Sequence, residues 1–218
     1  MRIAYIVLTC EKYQKTRVEW QKRHVFSRIN LDDVYYLGHI MDPKNHQYSW
    51  GAADDYDHLT DKFRDFFMNT ELEYDWYMLI DDDTFVYDDR LRAFLAIYHP
   101  DYPTAIGWSM DHLHDNDINK DLKQYFSGGA GTVLSRAAYH GIGKWIRDTT
   151  PLAFSFHWCA DISLGMWLTQ VEGIHLVHQP RFHVEFYNEE EHDFKKEITY
   201  HHLKEESEYE LCARMHGL

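Results

Sequence analysis

"WYMLIDDDTFVYDD", residues 76–89, runs from a wholly apolar stretch straight into three consecutive aspartates. An unbroken apolar run of this kind marks a strand covered on both faces, as in a parallel sheet. A turn needs one such polar residue, so the mutual repulsion of Asp81, Asp82 and Asp83 asks for another explanation. Working outward, residues 3–9 form a second buried-strand run, and 12–29 is a helix-length stretch mixing charge with Val18, Trp20, Val25, Phe26 and Ile29. "DVYYLGHI" (33–40) fits a short strand, and a polar loop follows to residue 55. In "YDHLTDKFRDFF" (56–67), Tyr56, Leu59, Phe63, Phe66 and Phe67 recur at helical spacing, which predicts a helix packing one face on the sheet.

Beyond the aspartates, "DDRLRAFLAIYH" (88–99) predicts a helix capped by Asp88 or Asp89, and a strand is expected near Thr104 to Gly107. Residues 109–124 read as a surface loop. "FSGGAGTVLSRAAYHGIGKWI" (126–146) reads as a glycine turn, a short strand and a helix capped by Ser135. A short helix fits 160–171, strand character returns over 174–186, and the tail from Asn188 is charged and partly helical. With no repeat, low-complexity block or linker, the pattern predicts one α/β domain over 1–218, built on a mainly parallel sheet flanked by helices.

At 218 residues with 44% hydrophobic and 16% aromatic content, the chain can bury a substantial core. A formal charge of −14 repels nucleic acid and anionic membranes, which argues against either as a partner. An anionic small ligand remains compatible if a metal ion supplies local positive charge. Cys10, Cys159 and Cys212 are odd in number and far apart, which predicts free thiols. The opening apolar run is too short for a membrane span and lacks a cleavage-type flank, so a soluble, cytoplasmic protein is expected.

Ligands of open α/β sheets bind beyond the carboxyl ends of the strands, where Asp81, Asp82 and Asp83 stand. In extended backbone, residues two apart share a side, so Asp81 and Asp83 converge while Asp82 faces elsewhere. Two ionised carboxylates so placed favour a divalent cation, against the alternative of a solvated turn with helix caps. Gly128, Gly129 and Gly131 let backbone approach a ligand closely, or simply make a tight turn. Asp161 precedes a helical pattern, as a cap or as a carboxylate whose charge the helix N-terminus favours. His178 and His183 are candidate metal ligands on a late strand, although the chain has 16 histidines and each one alone says little.

These residues resemble, in order, the landmarks of metal-dependent glycosyltransferases of the GT-A fold, in particular the Fringe and beta-1,3-galactosyltransferase group. "YDHLTDK" resembles that group's Y-x-x-L-T-x-K helix, "LIDDDTFV" its DDD segment, "SGGAGTVLSR" its GGAG segment, "ADISLG" its (D/E)-D-V-x-(V/L)-G segment and "RFH" its late F-H. The resemblance covers roughly residues 3–185. It implies a GT-A domain with a small additional sheet, a nucleotide-binding part over about 1–107 and an acceptor and catalytic part over about 108–187. Asp83 then matches the metal-binding aspartate, Asp81 the nucleotide ribose or the metal shell, and His183 the late metal ligand. Thr9, Asp82, Gly128 and Gly129 fall where the nucleotide sugar is held. Asp161 matches the base that deprotonates the acceptor in inverting members, and Ala160 departs from the acidic residue expected before it.

The implied chemistry needs Mn²⁺ or Mg²⁺, a UDP-sugar donor, with GDP behind UDP, and a glycan acceptor. No membrane anchor, stem or disulfide pattern accompanies these motifs. That is similar to compact versions encoded by large algal DNA viruses, for which the host cytoplasm is the expected location. Two rivals remain. Abundant aromatics such as Trp50, Trp108, Tyr125 and Trp158 would suit a non-catalytic carbohydrate-binding module, although core packing accounts for most aromatics. A haloacid-dehalogenase-type phosphotransferase also places aspartates at a strand end, but its pattern wants Thr or Val where Phe85 stands.

Overall fold

The unbroken apolar runs are the two central strands of the sheet. In the computed structural model, which describes residues 1–111, 124–149, 157–186 and 196–216, β1 (Ile3–Leu8) pairs with its neighbours β2 (Val34–Leu37) and, across the centre, the strand of residues 76–81. The remaining strands in chain order are β3 (Gln47–Tyr48), β4 (Trp76–Asp81), β5 (Phe85–Val86), β6 (Thr104–Gly107), β7 (Ser109–Asp111) and β8 (Gln124–Phe126). They continue with β9 (Thr132–Ser135), β10 (His175–His178), β11 (Phe182–His183) and β12 (Thr199–Tyr200). The helices are α1 (Arg17–Trp20), α2 (Leu59–Asn69), α3 (Asp88–Leu95), α4 (Arg136–Asp148), α5 (Ala160–Leu168) and α6 (Glu206–Met215).

Seven strands form the main sheet in the order β10-β6-β9-β4-β1-β2-β3, parallel throughout except for β9. Register sets Leu8 of β1 beside Asp81 of β4, so both strands deliver their carboxyl ends to one edge. Alternation along each strand feeds two cores. Tyr5, Val7, Met78 and Ile80 pack on one face with Val18, Phe26, Leu91 and Leu95. Ala4, Ile6, Tyr77 and Leu79 pack on the other with Phe63, Phe66, Tyr139 and Trp167. The architecture is therefore the mixed α/β arrangement expected, with a small second sheet, β11-β12-β5, and a β7-β8 pair. The part of the charged tail that is described supplies β12 and α6, whose Tyr209 and Cys212 are buried in the first core.

Three local expectations need correction. Residues 12–29 are not one helix: α1 lasts four residues and gives way to a π-type turn over Gln21–Val25 and a 3-10 turn over Phe26–Arg28. The widened turn buries Gln21, whose Nε2 donates to the carbonyls of Asp81 and Thr84, each at 2.9 Å. Neither Asp88 nor Asp89 caps α3, because Tyr87 holds the cap position; Asp88 instead accepts from the Tyr5 hydroxyl and from Arg92 Nε at 2.8 Å. Tyr56, expected on the packing face, is 67% exposed. Ser135 does cap α4, its Oγ accepting from Ala138 N at 3.2 Å. All three cysteines are free. No described helix is long and apolar enough to cross a membrane.

Candidate active site

The aspartate triplet ends β4 and is fixed from several sides at once. Thr84 N donates to Asp81 O at 3.2 Å and Thr84 Oγ1 to Gly129 O at 2.7 Å. Tyr209 Oη donates to Asp82 O at 2.7 Å, and Leu203 N to Asp83 O at 3.1 Å. With the backbone held, the three side chains diverge. Asp82 turns inward, its Oδ2 accepting from Thr9 Oγ1 at 2.7 Å and its Oδ1 from Arg17 Nη1 at 3.1 Å. The same Arg17 nitrogen lies 3.1 Å from Asp83 Oδ2, and its guanidinium sits 4.0 Å over the Tyr13 ring.

Asp81 and Asp83 point into the crevice, and the third group beside them is His201: ligand atoms of all three lie within 4.8 Å of one another. His201 Nε2 is 3.2 Å from Asp83 Oδ1 and 3.8 Å from Asp81 Oδ2. Its Nδ1–H donates to Val184 O at 2.8 Å, which leaves Nε2 aimed at the carboxylates. His202, next in the chain, has the left-handed backbone φ of 66°, a costly conformation for a non-glycine residue that turns the chain back across the triplet. Burial, then the Asp83 charge, push the Asp81 carboxyl up to about 7, although a third of its side chain stays open to the cleft. Burial pushes Asp82 up to about 6 against the opposing Thr9 and Arg17 contacts. Burial also works against Asp83, but the His201 hydrogen bond and the His201 and Arg17 charges win and hold it below its ordinary range. His201 is raised, since Asp83 and Asp81 outweigh its own burial. A site that retains protons among crowded acids is one a cation relieves.

The crevice holds about 500 Å³ and runs from this seat to Thr9, Cys10 and Tyr13 in the segment after β1, and Tyr56 also lines it. Its size suits a small-molecule site. Lys62 is buried and structural there, its Nζ donating to Thr9 O at 2.8 Å and Asp54 Oδ1 at 2.6 Å.

The glycine turn makes room for side chains. Gly131 has φ of 98° and donates to Gly128 O at 2.9 Å. A Cβ on Gly129 would stand 2.1 Å from His201 Cε1, and one on Gly128 would stand 3.3 Å from Asp161 Cβ. The turn thus spans from the metal-type cluster to Asp161. Asp161 lies in the first turn of α5, after the cap position held by Cys159; Oδ1 accepts from Ile162 N at 2.8 Å and from the Cys159 thiol at 2.7 Å. Burial and the Asp161 charge push Cys159 up to about 12, which keeps the thiol a donor.

The structure puts the two expected histidines elsewhere. His183 Nε2 faces Glu197 Oε2 at 2.7 Å, with its ring stacked 5.2 Å from Tyr200. Register pairs His183 with Tyr200, so the next residue, His201, turns to the opposite side and reaches the aspartates. His178 Nδ1 accepts from Ser109 N at 3.0 Å and packs on Trp108. Reading the sequence missed His201; its signal was the short apolar run Ile198, Thr199, Tyr200 ahead of a histidine pair. Of the 109–124 stretch read as a surface loop, the described ends pair as strands β7 and β8, and residues 112–123 lie outside the described residues.

The chain has the GT-A glycosyltransferase fold, with a main sheet parallel but for one reversed strand and an acidic triplet at its end over a crevice. An active-site mutant of LgtC, Q189E, superposes on it with a TM-score of 0.52 at 11% identity, covering 98% of this chain and 95% of that one. The Fringe-like family model matches residues 2–213, and the chain belongs to that family. It is 42% identical over 67 residues to glycoprotein-N-acetylgalactosamine 3-beta-galactosyltransferase 1 of Xenopus laevis, covering 30% of this chain and 16% of the relative. It is 28% identical over 108 residues to a beta-1,3-glucosyltransferase of Mus musculus, covering 50% of this chain and 20% of the relative. The matches thus span a fifth or less of the curated relatives' length.

Proposed function

We propose that this protein transfers a sugar from a nucleotide-sugar donor, UDP-linked in the first instance, to a hydroxyl of a glycan acceptor, with a divalent cation and with inversion at the anomeric carbon. The observation that carries the reading is the convergence of Asp81, Asp83 and His201 on one point at the mouth of the crevice. Two hard carboxylates with one imidazole suit Mn²⁺ or Mg²⁺, and a bound ion would displace the protons that Asp81 and His201 hold without it. His201 takes the place proposed from sequence for His183. When bound, the ion supplies Lewis-acid neutralisation of charge on the diphosphate leaving group.

The remaining work falls to the chain. Thr9, anchored by Asp82 and by Lys62, lines the end of the crevice that suits the nucleoside, and Asp82 serves it by holding Thr9 and Arg17 in place. Backbone of Gly128 and Gly129 separates donor from base at close approach. Asp161, oriented by Ile162 N and Cys159, takes the proton of the acceptor hydroxyl as that oxygen attacks from the face opposite the leaving group. Such help is worth about 10²- to 10⁴-fold.

A hydrolysis screen of nucleotide sugars with and without Mn²⁺ tests the reading and needs no acceptor. Slow, metal-dependent release of sugar from one donor is the expected result. Glycan binding that needs neither nucleotide nor metal, with no hydrolysis of any donor, would instead establish the carbohydrate-binding module.

A further inference from the structure

Two aromatic side chains beside this crevice are exposed where burial would be cheaper. Trp158 is 54% and Tyr56 67% exposed, and their rings meet with centroids 6.0 Å apart at 51°. Neither belongs to a loose segment. Thr60 Oγ1, one turn after Tyr56, lies 2.8 Å from His157 O and 3.2 Å from Trp158 O, which ties the start of α2 to the chain ahead of α5. Ser163 Oγ donates to His157 O at 2.8 Å and accepts from His157 N at 2.7 Å. Thr60 and Ser163 are both buried, and the His157 ring packs 5.3 Å from Trp158. Buried polar anchors thus hold these two rings side by side at the surface, next to the crevice that Tyr56 lines.

We propose that Tyr56 and Trp158 form the acceptor subsite, stacking on the C–H face of the pyranose that receives the sugar. The proposal rests on the glycosyltransferase reading above and deepens it. Position selects this occupant. Tyr56 lines the crevice that also holds Asp81 and Asp83, whereas Trp158 lies outside that lining and three residues before Asp161. Tyr56 is close enough to Asp161 and Asp81 for both charges to raise its phenol, after burial. A pyranose resting in this corner has its hydroxyl-bearing edge next to the base, while the nucleoside end of the crevice, at Thr9 and Tyr13, is left to the donor. Tyr and Trp present large, rigid apolar faces with a polar edge, which matches a sugar's alternation of C–H patches and hydroxyls.

The test is saturation-transfer-difference NMR on the whole chain with UDP and Mg²⁺, the diamagnetic ion, against methyl glycosides of glucose, galactose, mannose, fucose and xylose. At least one glycoside is expected to show ring C–H saturation. Trp158→Ala should weaken its apparent affinity about tenfold or more, and Trp158→Phe should keep most of it. Calorimetry should find the UDP and Mg²⁺ affinity of Trp158→Ala equal to that of the unmodified chain, and thermal melting should show both variants folded. The proposal is overturned if no glycoside binds the UDP-loaded protein, if Trp158→Ala binds as well as Trp158→Phe, or if Trp158→Ala loses UDP instead, which would make the corner a base-stacking site. Failure of the unmodified protein to bind UDP with metal would remove the glycosyltransferase reading itself, a separate result.

Discussion

Replacing Gly129 by alanine adds one methyl group and should disable a site whose ligands are all untouched. The added carbon would stand 2.1 Å from His201 Cε1 and 2.2 Å from Nε2. Ordinary carbon contact begins at about 3.5 Å, so the ring has to retreat by roughly 1.4 Å. It has little freedom to do so, being held at Nδ1 by Val184 O at 2.8 Å and facing Asp83 Oδ1 at 3.2 Å. Metal ligands tolerate displacements of about 0.2 Å, so the imidazole would leave the cluster. The expected loss of Mn²⁺ affinity is at least about 10- to 100-fold, with a folding cost of about 1–3 kcal/mol from overpacking. Gly129 is not among the positive-φ glycines, so alanine brings no backbone strain to confuse the result. Mn²⁺ titration followed by electron paramagnetic resonance gives the affinity, and circular dichroism checks the fold. Gly128→Ala is the control, its Cβ meeting only Asp161 Cβ at 3.3 Å. If folded Gly129→Ala binds Mn²⁺ as tightly as the unmodified chain, His201 is not a ligand and the reasoning fails.

Other outcomes follow from the same geometry. His201→Ala should lower Mn²⁺ affinity at least about tenfold while His183→Ala, which removes a contact to Glu197, should not; the reverse order would restore His183 as the ligand. Asp161→Asn should cut transfer by about 10²- to 10⁴-fold and leave Mn²⁺ and UDP binding intact, and near-normal turnover would remove Asp161 as the base. Without metal, Asp81 at about 7, Asp82 at about 6 and the raised His201 all bind protons more tightly folded than unfolded. The Asp81 and Asp82 contributions are therefore full at low pH and lost as pH rises through about 6 to 7, that of His201 is lost only as pH rises through its own raised range, and the lowered Asp83 acts below that window. Urea denaturation at pH 5.5 and 7.5, taken as round values on either side of about 6 to 7, should show the metal-free protein losing stability with rising pH, and saturating Mn²⁺ should remove that loss; an unchanged slope with Mn²⁺ would contradict the assignment.

The central sheet was legible because its strands carry continuous apolar runs, and residues 3–8 and 76–81 stand where those runs predict. Asp81 and Asp83 were legible because an acidic triplet directly follows an apolar run, although their convergence comes from a turn closed by Thr84 N on Asp81 O and not from strand alternation, since the strand ends at Asp81. His201 was not, since its position depends on a sheet assembled from two-residue strands at 85–86, 182–183 and 199–200, too short for any periodicity. A histidine follows an aromatic residue in two of those strands' neighbourhoods, Phe182 with His183 and Tyr200 with His201, and only pairing register tells which one reaches the aspartates. The π-type turn at Gln21 was hidden for a similar reason, because its partners, the carbonyls of Asp81 and Thr84, lie some sixty residues away.

The most direct measurement is anomalous X-ray scattering from a crystal soaked with Mn²⁺ and UDP. A single manganese peak bounded by Asp81, Asp83 and His201, with diphosphate density on its crevice side, is the predicted result. A site clear of manganese at saturating concentration, or a peak beside His183 and Glu197 instead, would contradict it.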